Sequence, residues 1–474
     1  MLPISNIEQK VLRKRLYAQK MKRRFIIKTK KVCLRYKIKK ITAAGIAAMG
    51  LASMVMAANP VSAASGEVGI DETNFPDEGF RTYVAENFDS DKNSVLSEEE
   101  MNAVEKIDVS DLSYEISSLE GIEFFPNLTF LNCREGKLEN LDVSNNTKLV
   151  NLYCYDNMLT SLDVSANTML EIVDCSHNSI SELDVRNNTA LTNLYCSYNM
   201  LTDLNVSLNT ALKTLMCEHN EITNIDVSSN TGLKTLLLTS NELEKIDLSA
   251  NTKLTVLGLG NNNLGRLDVS NNTSLEQFAF FNNEITEIDL TGLKSLEELT
   301  CSANKLTSLD VSANTALLHL GCAYNNFAGL DLTNNTLLYS FVGYRNTISL
   351  PLCADNGRYY VDFSDVVPDT ARITNLSDGD YDAVYGQAEL PDTFGEGSTF
   401  TYQYDTGMDG NMLTVKVTIS EVVDLSGTDT PPVVDIPAGD GSSLTYITVF
   451  GALAALLAVV LCNRRTAARK KTEI

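Results

Sequence analysis

A 21-residue period dominates this chain of 474 residues and limits the folds that are open to it. Residues 127–336 divide into ten units of that length in constant register. In the second unit the apolar Leu152 and Cys154 alternate with Tyr153 and Tyr155, and a period of two predicts a strand with one buried face. One such unit cannot bury its apolar face alone. The repeat therefore predicts a solenoid in which each coil packs against the next.

Each unit resembles a leucine-rich repeat. Residues 149–159 follow the pattern L-x-x-L-x-L-x-x-N-x-L, with Cys154 in the third leucine position. The resemblance covers about half of the chain and implies a mainly β solenoid of about 10–11 coils over residues 111–352. An asparagine closes every strand except in the first unit, where Gly136 takes its place, and because a buried amide needs partners we predict a structural column. The column consists of Asn157, Asn178, Asn199, Asn220, Asn241, Asn262, Asn283, Asn304, Asn325 and Asn346.

A second alternation, Leu-Asp-Val, recurs on the return side of each coil and predicts a narrow parallel strand there. Its outward aspartates form a column that only Asn205 interrupts. At the roughly 4.8 Å spacing of stacked strands, neighbouring carboxylates would repel by about 0.9 kcal/mol at the dielectric constant of water. Two ways to offset this repulsion stay open: hydrogen bonds of the Asx-turn kind within each coil, or bound cations between coils. The column contains Asp142, Asp163, Asp184, Asp226, Asp247, Asp268, Asp289, Asp310 and Asp331.

Seven of the ten cysteines fill one inward position of the repeat, in which other units carry Leu238, Leu259 or Phe280. A position that accepts Leu and Phe is a core position. We therefore predict free, buried thiols, because an in-register parallel stack offers poor dihedral geometry for a disulfide. The seven are Cys133, Cys154, Cys175, Cys196, Cys217, Cys301 and Cys322.

The N-terminal end of the chain has the features of an export signal. Residues 1–40 hold 15 Lys and Arg and one acid, and an apolar, small-residue run and a small-residue cleavage sequence follow. These features predict a signal peptide over residues 1–64, with a retained anchor helix as the alternative. Between the two basic ends, 18 basic and 59 acidic residues give a net charge of −41. So acidic a segment argues against a nucleic-acid partner.

The C-terminal end has the features of a membrane anchor. Residues 444–462 carry no charge and precede a basic tail over 463–474, which predicts one membrane-spanning helix with the tail in the cytoplasm. A stalk rich in Pro, Gly and Asp over 425–443 comes before it. The layout resembles a Gram-positive cell-wall sorting signal, but residues 436–440 read Ile-Pro-Ala-Gly-Asp where that family has Leu-Pro-x-Thr-Gly. We expect an exported, single-pass membrane protein at the cell surface and leave wall attachment open.

Residues 89–100 resemble an EF-hand calcium loop, and apolar periodicity on both sides predicts flanking helices. The resemblance implies a helical cap over residues 65–110 with calcium as its cofactor. Ser94 stands where the family has glycine, which implies weaker binding. A helix-loop-helix that only caps the solenoid is the alternative. The implied ligands are Asp89, Asp91, Asn93, the carbonyl of Val95, Ser97 and Glu100.

The 21-residue period stops after Leu352. Short alternating runs follow over residues 353–424, with a hairpin signal rich in glycine and asparagine at residues 407–411. This pattern predicts a small β-sandwich-like module that closes the end of the solenoid.

The architecture is similar to that of internalin-like adhesins, which bind protein ligands on the concave strand face. This similarity implies a surface protein or glycan of a host or of neighbouring bacteria as the partner. The repeat register places aromatic and polar side chains on that face in the first half of the array, although strand propensity alone also favours Tyr there. We predict that the partner docks across Phe130, Tyr153, Tyr155, Asp156, Asp174, His177, Tyr195, Tyr198, Glu218 and His219.

Two other classes of function are weaker. An enzyme is disfavoured, because the chain has three histidines and lacks the Gly-x-Ser-x-Gly, His-Glu-x-x-His and phosphate-loop motifs; no organic cofactor is expected. A structural envelope protein without a specific ligand is the principal alternative to a binding protein.

Overall fold

The computed structural model describes residues 66–111, 116–408 and 410–425. The predicted signal peptide (residues 1–64) lies outside these ranges, and so do the predicted stalk beyond Leu425, the membrane helix and the tail. None of the helices within the described ranges is both long and apolar enough to span a bilayer.

A small helical cap opens the described chain. Its elements are β1 (Val68–Gly69), α1 (Glu78–Asn87), β2 (Val95–Leu96) and α2 (Glu98–Ala103), with β1 and β2 paired antiparallel. Helix α1 begins after Asp77, whose carboxylate accepts a hydrogen bond from the Phe80 N–H, and α2 begins after Ser97, which forms a capping box with Glu100. Phe80 and Val84 are fully buried in a core that continues into the solenoid.

One parallel sheet of twelve three-residue strands runs the length of the solenoid, with one strand in each coil. The strands are β3 (Lys106–Asp108), β4 (Phe130–Asn132), β5 (Asn151–Tyr153), β6 (Ile172–Asp174), β7 (Asn193–Tyr195), β8 (Thr214–Met216), β9 (Thr235–Leu237), β10 (Val256–Gly258), β11 (Gln277–Ala279), β12 (Glu298–Thr300), β13 (His319–Gly321) and β14 (Ser340–Val342). From β4 onward each residue pairs with the residue 21 positions later, as Leu152 does with Val173. Strand β3 lies inside the segment that the sequence assigned to the cap, and a 3₁₀ turn (Ile122–Phe124) follows it.

The predicted asparagine column is present and links the coils. Asn220 shows its bonding: Nδ2 donates to the Cys196 carbonyl of the preceding coil (3.1 Å) and to the Cys217 carbonyl (3.2 Å), while Oδ1 accepts from the Leu201 N–H (3.0 Å). Each such side chain thus bonds its own turn and the coil before it. The residue just before each of these asparagines, such as His219 at φ 54°, adopts the left-handed conformation.

A second column of buried asparagines, which the sequence analysis did not identify, lines the return side. Asn188 is representative: Nδ2 donates to the Val164 and Asn167 carbonyls of the preceding coil, both at 2.9 Å. The column comprises Asn146, Asn167, Asn188, Asn209, Asn230, Asn251, Asn272, Asn314 and Asn335, all fully buried or nearly so. Leu293 occupies the equivalent position in the one coil of this run that lacks it.

The narrow strand expected on the return side is absent from the described coils, and that prediction is wrong. The carbonyl of its last residue, such as Val164, accepts from Asn188 Nδ2 of the next coil and from the Asn167 N–H of its own coil. The outward aspartates accept from the N–H two residues ahead, as Asp163 does from Ser165 at 2.8 Å. Asn205 makes the same bond to Ser207. The Asx-turn explanation of the aspartate column is therefore confirmed.

The seven stacked cysteines are buried and free, as predicted. Burial raises the pKa of Cys133 and Cys301 to about 12, so these thiols are protonated and unreactive at neutral pH. They act as small apolar core residues between the leucines of neighbouring positions.

The strands of the C-terminal module, for which the sequence predicted a β-sandwich-like arrangement, are hydrogen-bonded into one seven-stranded sheet. Its strands are β15 (Asn346–Asp355), β16 (Arg358–Asp362), β17 (Ile373–Thr374), β18 (Asp380–Asp382), β19 (Gln387–Leu390), β20 (Thr399–Asp405) and β21 (Met412–Asp424), with a 3₁₀ turn at Thr370–Arg372. Their order in the sheet is β17-β20-β21-β15-β16-β19-β18. The parallel pairing of β15 with β21 joins the two halves, and the antiparallel pair β20–β21 confirms the predicted hairpin.

The module packs directly on the last coils. Strand β15 begins at Asn346, the last asparagine of the first column. The Tyr402 hydroxyl donates to the Ala328 carbonyl at 2.6 Å, and the Leu332 N–H donates to the Thr406 carbonyl at 2.8 Å. The end of the solenoid core is covered as the sequence led us to expect.

The neighbouring Asn271 and Asn272 allow a matched test of the second column. Asn272→Ala removes two hydrogen bonds between coils and leaves the Leu248 and Asn251 carbonyls with only the backbone donors Asn251 N–H and Leu254 N–H. We expect it to lower the free energy of unfolding by about 2 kcal/mol, at about 1 kcal/mol for each lost hydrogen bond. Asn271 is exposed, and Asn271→Ala should change the value by less than about 0.5 kcal/mol. Urea unfolding followed by circular dichroism measures both, and equal effects would contradict a structural role for the column.

Candidate binding face

The concave face has a row of three side chains in register across three adjacent strands. Tyr153 of β5 pairs with Asp174 of β6, and Asp174 pairs with Tyr195 of β7. Asp174 therefore lies between two tyrosines at the strand spacing. The Tyr195 hydroxyl accepts a hydrogen bond from Asn193 Nδ2 at 2.9 Å, and the Phe130 ring packs beside Tyr153 with centroids 5.6 Å apart. Neighbouring side chains thus position both rings.

A stack of aromatic rings lies beside this row. His177, Tyr198 and His219 occupy the left-handed position of successive coils, with φ between 54° and 59°. The centroids of His177 and Tyr198 are 4.2 Å apart and those of Tyr198 and His219 are 4.1 Å apart, with planes inclined by 12° and 15°. The conformation repeats in every coil, and therefore three aromatic residues at this position stack face to face.

Two half-buried carboxylates belong to the same surface. Burial raises the pKa of Asp174, although Ser176 donates a backbone hydrogen bond to it, and burial also raises the pKa of Glu218. In the described part of the chain neither carboxylate forms an ion pair with Lys or Arg. Among the described residues no Lys or Arg offsets the free-energy cost of partly burying these two charges, and solvent or a bound partner must therefore do so.

His219, at one end of the stack, favours the neutral form, because its pKa is lowered. Desolvation, and secondly the charge of His177, lower the pKa of His219. Burial and then the nearby Glu218 raise the pKa of Tyr198. At neutral pH the rings of Tyr198 and His219 are therefore uncharged and lie next to the Glu218 carboxylate.

The second half of the concave face is different. It has small residues at several outward positions, among them Gly258, Gly260, Gly321 and Ala323, and the Phe281 ring lies over Gly260 and leaves no room for a side chain there. Aromatic and charged groups are thus concentrated in the coils from Phe130 to His219.

The structure brings most of the predicted residues together. Tyr153, Asp174 and Tyr195 form the row, and His177, Tyr198 and His219 form the stack. Tyr155 has the register position of Ser176 and Asp156 has that of His177, each one coil earlier. Glu218 lies two coils after Asp174. The ten positions form one continuous surface.

Sequence reasoning missed a second aromatic cluster at the last coils. Tyr324 and Tyr344 are exposed and contact each other edge to face, with centroids 5.7 Å apart. Arg345 donates to the Tyr324 hydroxyl at 2.7 Å and lies over its ring. The signal was available, since Tyr324 has the register position of His177 and Tyr344 has that of Tyr155.

The acidic loop of the cap brings three carboxylates close together. One carboxylate oxygen each from Asp89, Asp91 and Glu100 lie within 4.8 Å of one another, and Asp89 is buried. Ser94 takes φ 65°, the left-handed turn for which EF-hands use glycine. Hydrogen bonds from Ser90 and Ser97 lower the pKa of Glu100 to about 2, which keeps this carboxylate charged. The donor set fits a hard divalent cation.

Comparison with known proteins adds likenesses to solved structures. No family model and no curated protein matches this chain. The functional domain of InlJ from Listeria monocytogenes, which includes a cysteine ladder, is 25% identical, with 76% of this chain and 99% of that one covered and a TM-score of 0.43. An internalin, inlF, from the same organism is 24% identical, with 59% and 91% covered and a TM-score of 0.49. Internalin C2 from that organism is 18% identical, with 55% and 99% covered and a TM-score of 0.36.

The fold assignment rests on the register of the strands, since each of these TM-scores lies below 0.5. Ten sequence units that follow the leucine-rich pattern each form one strand of a parallel sheet, and a buried asparagine closes nearly every strand. The array is a leucine-rich-repeat solenoid.

Glu218 allows a test of whether a half-buried charge on the concave face lowers the stability of the folded protein. Because its folded-state pKa is raised, the ionised carboxylate destabilises the folded state at pH 7, and this penalty disappears as pH falls through that pKa. Glu218→Gln should therefore raise the melting temperature at pH 7 and lose that gain by about pH 4. Thermal melts at both pH values, with the exposed Glu221→Gln as the control, measure the effect. A lower melting temperature at pH 7 would contradict it.

Proposed function

We propose that this protein is an exported cell-surface binding protein that docks a protein or glycan partner on the concave face of its leucine-rich-repeat solenoid. The observation that carries the proposal is the concentration of rigid aromatic rings and half-buried carboxylates in the coils from Phe130 to His219. Tyr and His present large apolar area with polar groups at the edge and lose little side-chain entropy on binding.

The rest of the chain is consistent with this role. The basic N-terminal end, the apolar segment 444–462 and its basic flank support an exported protein with one membrane anchor. This part of the proposal rests on sequence alone. A purely structural envelope protein would have no reason to hold Asp174 and Glu218 half-buried without a Lys or Arg partner among the described residues, which favours a binding role.

A tyrosine-replacement variant tests the docking surface. Full-length protein is first used to capture a partner from host and bacterial surface material. Replacement of Tyr153, Tyr155, Tyr195 and Tyr198 by Ser should weaken binding of that partner by at least about 100-fold, because buried aromatic residues dominate such interfaces. Surface plasmon resonance measures the affinity, and circular dichroism checks that the melting temperature falls by only a few degrees.

The chain offers a matched control with the same four substitutions elsewhere. Tyr324, Tyr339, Tyr344 and Tyr385 are exposed and lie outside the predicted surface, and their replacement by Ser should leave the affinity within about threefold. Binding that survives the first variant and is lost when residues 353–424 are deleted would place the site in the C-terminal module instead.

We also propose that the loop of the cap binds calcium through Asp89, Asp91, Asn93, the Val95 carbonyl, Ser97 and Glu100. The ion would neutralise the clustered carboxylates and hold the N-terminal end of α2 against the loop. A stiffer cap protects the first coil of the solenoid, since the cap core is continuous with that of the repeats.

Glu100→Gln tests this site without breaking the helix start, because Gln also satisfies a capping box. Titration calorimetry of the wild-type protein should show calcium binding, and millimolar calcium should raise its melting temperature. In Glu100→Gln both effects should be lost or weakened at least tenfold, as expected for loss of the bidentate ligand. The neighbouring exposed Glu99→Gln should behave like wild type. An unchanged titration in Glu100→Gln would exclude the site.

A further inference from the structure

On the strand face, three aromatic rings each have a Lys or Arg side chain of the same chain positioned over them. Lys106 Nζ lies 4.9 Å from the centroid of Phe130, the Arg134 guanidinium lies 5.8 Å from that of Tyr155, and the Arg345 guanidinium lies 5.3 Å from that of Tyr324. The aromatic rings of this surface thus attract cations, as expected from their negative π faces.

The centre of the same surface has no such cation. In the described part of the chain no Lys or Arg lies over Tyr153 or Tyr195, and none pairs with Asp174. Yet this row places a half-buried carboxylate between two tyrosine rings. Aromatic faces and a carboxylate around one point are the arrangement that holds an organic cation.

A second acidic point follows along the solenoid. Glu218 lies two coils beyond Asp174, and its register position is two residues further along the strand direction. The strand spacing and the rise per residue give a separation of roughly 12 Å between the two positions. It lies next to Tyr198 and His219, and it too lacks a Lys or Arg partner among the described residues. Two cation positions at this separation match side chains four residues apart on one face of an extended peptide.

We infer that the row of Tyr153, Asp174 and Tyr195 binds an arginine side chain of a protein partner, and that Glu218 beside the aromatic stack binds a second one. This inference rests on the proposed function and names the chemistry of the partner. Arginine fits better than lysine, because the planar guanidinium stacks on tyrosine and bonds a carboxylate through two N–H groups at once. The acidic charge of the chain between its basic ends also favours a basic partner.

A peptide with a neutral twin tests the inference on the full-length protein. The probe is a fluorescein-labelled nonapeptide, Gly-Ser-Arg-Gly-Ser-Gly-Arg-Ser-Gly, and its twin carries citrulline at both arginine positions. Anisotropy at 0.15 M NaCl should give a Kd at least about tenfold lower for the arginine peptide than for the citrulline peptide. A lysine version should bind more weakly than the arginine peptide.

Matched variants separate the site from the general acidic field. Asp174→Asn should raise the Kd of the arginine peptide about tenfold, and Tyr195→Leu, which keeps apolar area but removes the π face, about fivefold. Asp289→Asn removes the same charge from the return side, where Asn205 already fills an equivalent position, and should change the Kd less than twofold.

Several results would overturn the assignment. If the citrulline or the lysine peptide binds as tightly as the arginine peptide, the guanidinium group is not what the site recognises. If Asp289→Asn raises the Kd as much as Asp174→Asn does, the binding reflects only the overall negative charge of the protein. If a captured partner loses binding on replacement of the four tyrosines but not in Asp174→Asn, the concave face is the docking surface and the arginine assignment alone fails.

Discussion

Buried asparagine amides determine how the coils of this solenoid stack. Each coil has two corners at which buried backbone carbonyls point towards the next coil without a strand to receive them. An unpartnered buried carbonyl costs about 1–3 kcal/mol, and the Nδ2 groups of the first column supply the donors for carbonyls such as that of Cys196. The second column adds a donor from the next coil to carbonyls that already accept a backbone N–H, as Asn188 does for Val164. Because each amide reaches the preceding coil, as Asn220 reaches Cys196, the columns fix the spacing and register of the strands. The rows of side chains on the concave face depend on that register.

The sequence predicted the strands, the first asparagine column and the cysteine positions, because each of these depends only on the period. It could not predict the second column, since in a pair such as Asn271 and Asn272 nothing but the backbone path decides which amide is buried. The prediction of a strand on the return side was wrong for a related reason. A Leu-Asp-Val alternation also fits an extended segment whose carbonyls bond side chains. In the C-terminal module the alternation located strands but did not show that β15 and β21 pair in parallel.

For the candidate site, the register was sufficient to say which side chains lie on the concave face. It did not show how they meet. The stack of His177, Tyr198 and His219 follows from a left-handed conformation that L-residues rarely adopt and that no single coil of the sequence signals. The cations over Phe130 and Tyr155 come from Lys106 and Arg134, and Lys106 lies before the first repeat unit. Only the three-dimensional arrangement shows that Phe130 and Tyr155 have a cation over their rings and that Tyr153 and Tyr195 have no Lys or Arg over theirs among the described residues.

The stacking of the strands also has a mechanical consequence for the solenoid under tension. The interstrand hydrogen bonds run from coil to coil, so a pulling force along the stack of coils loads them mainly in tension and not in shear. Each coil contacts only its neighbours, and under tension the coils should therefore separate one after another. An array built in this way would lengthen stepwise and dissipate work at each step.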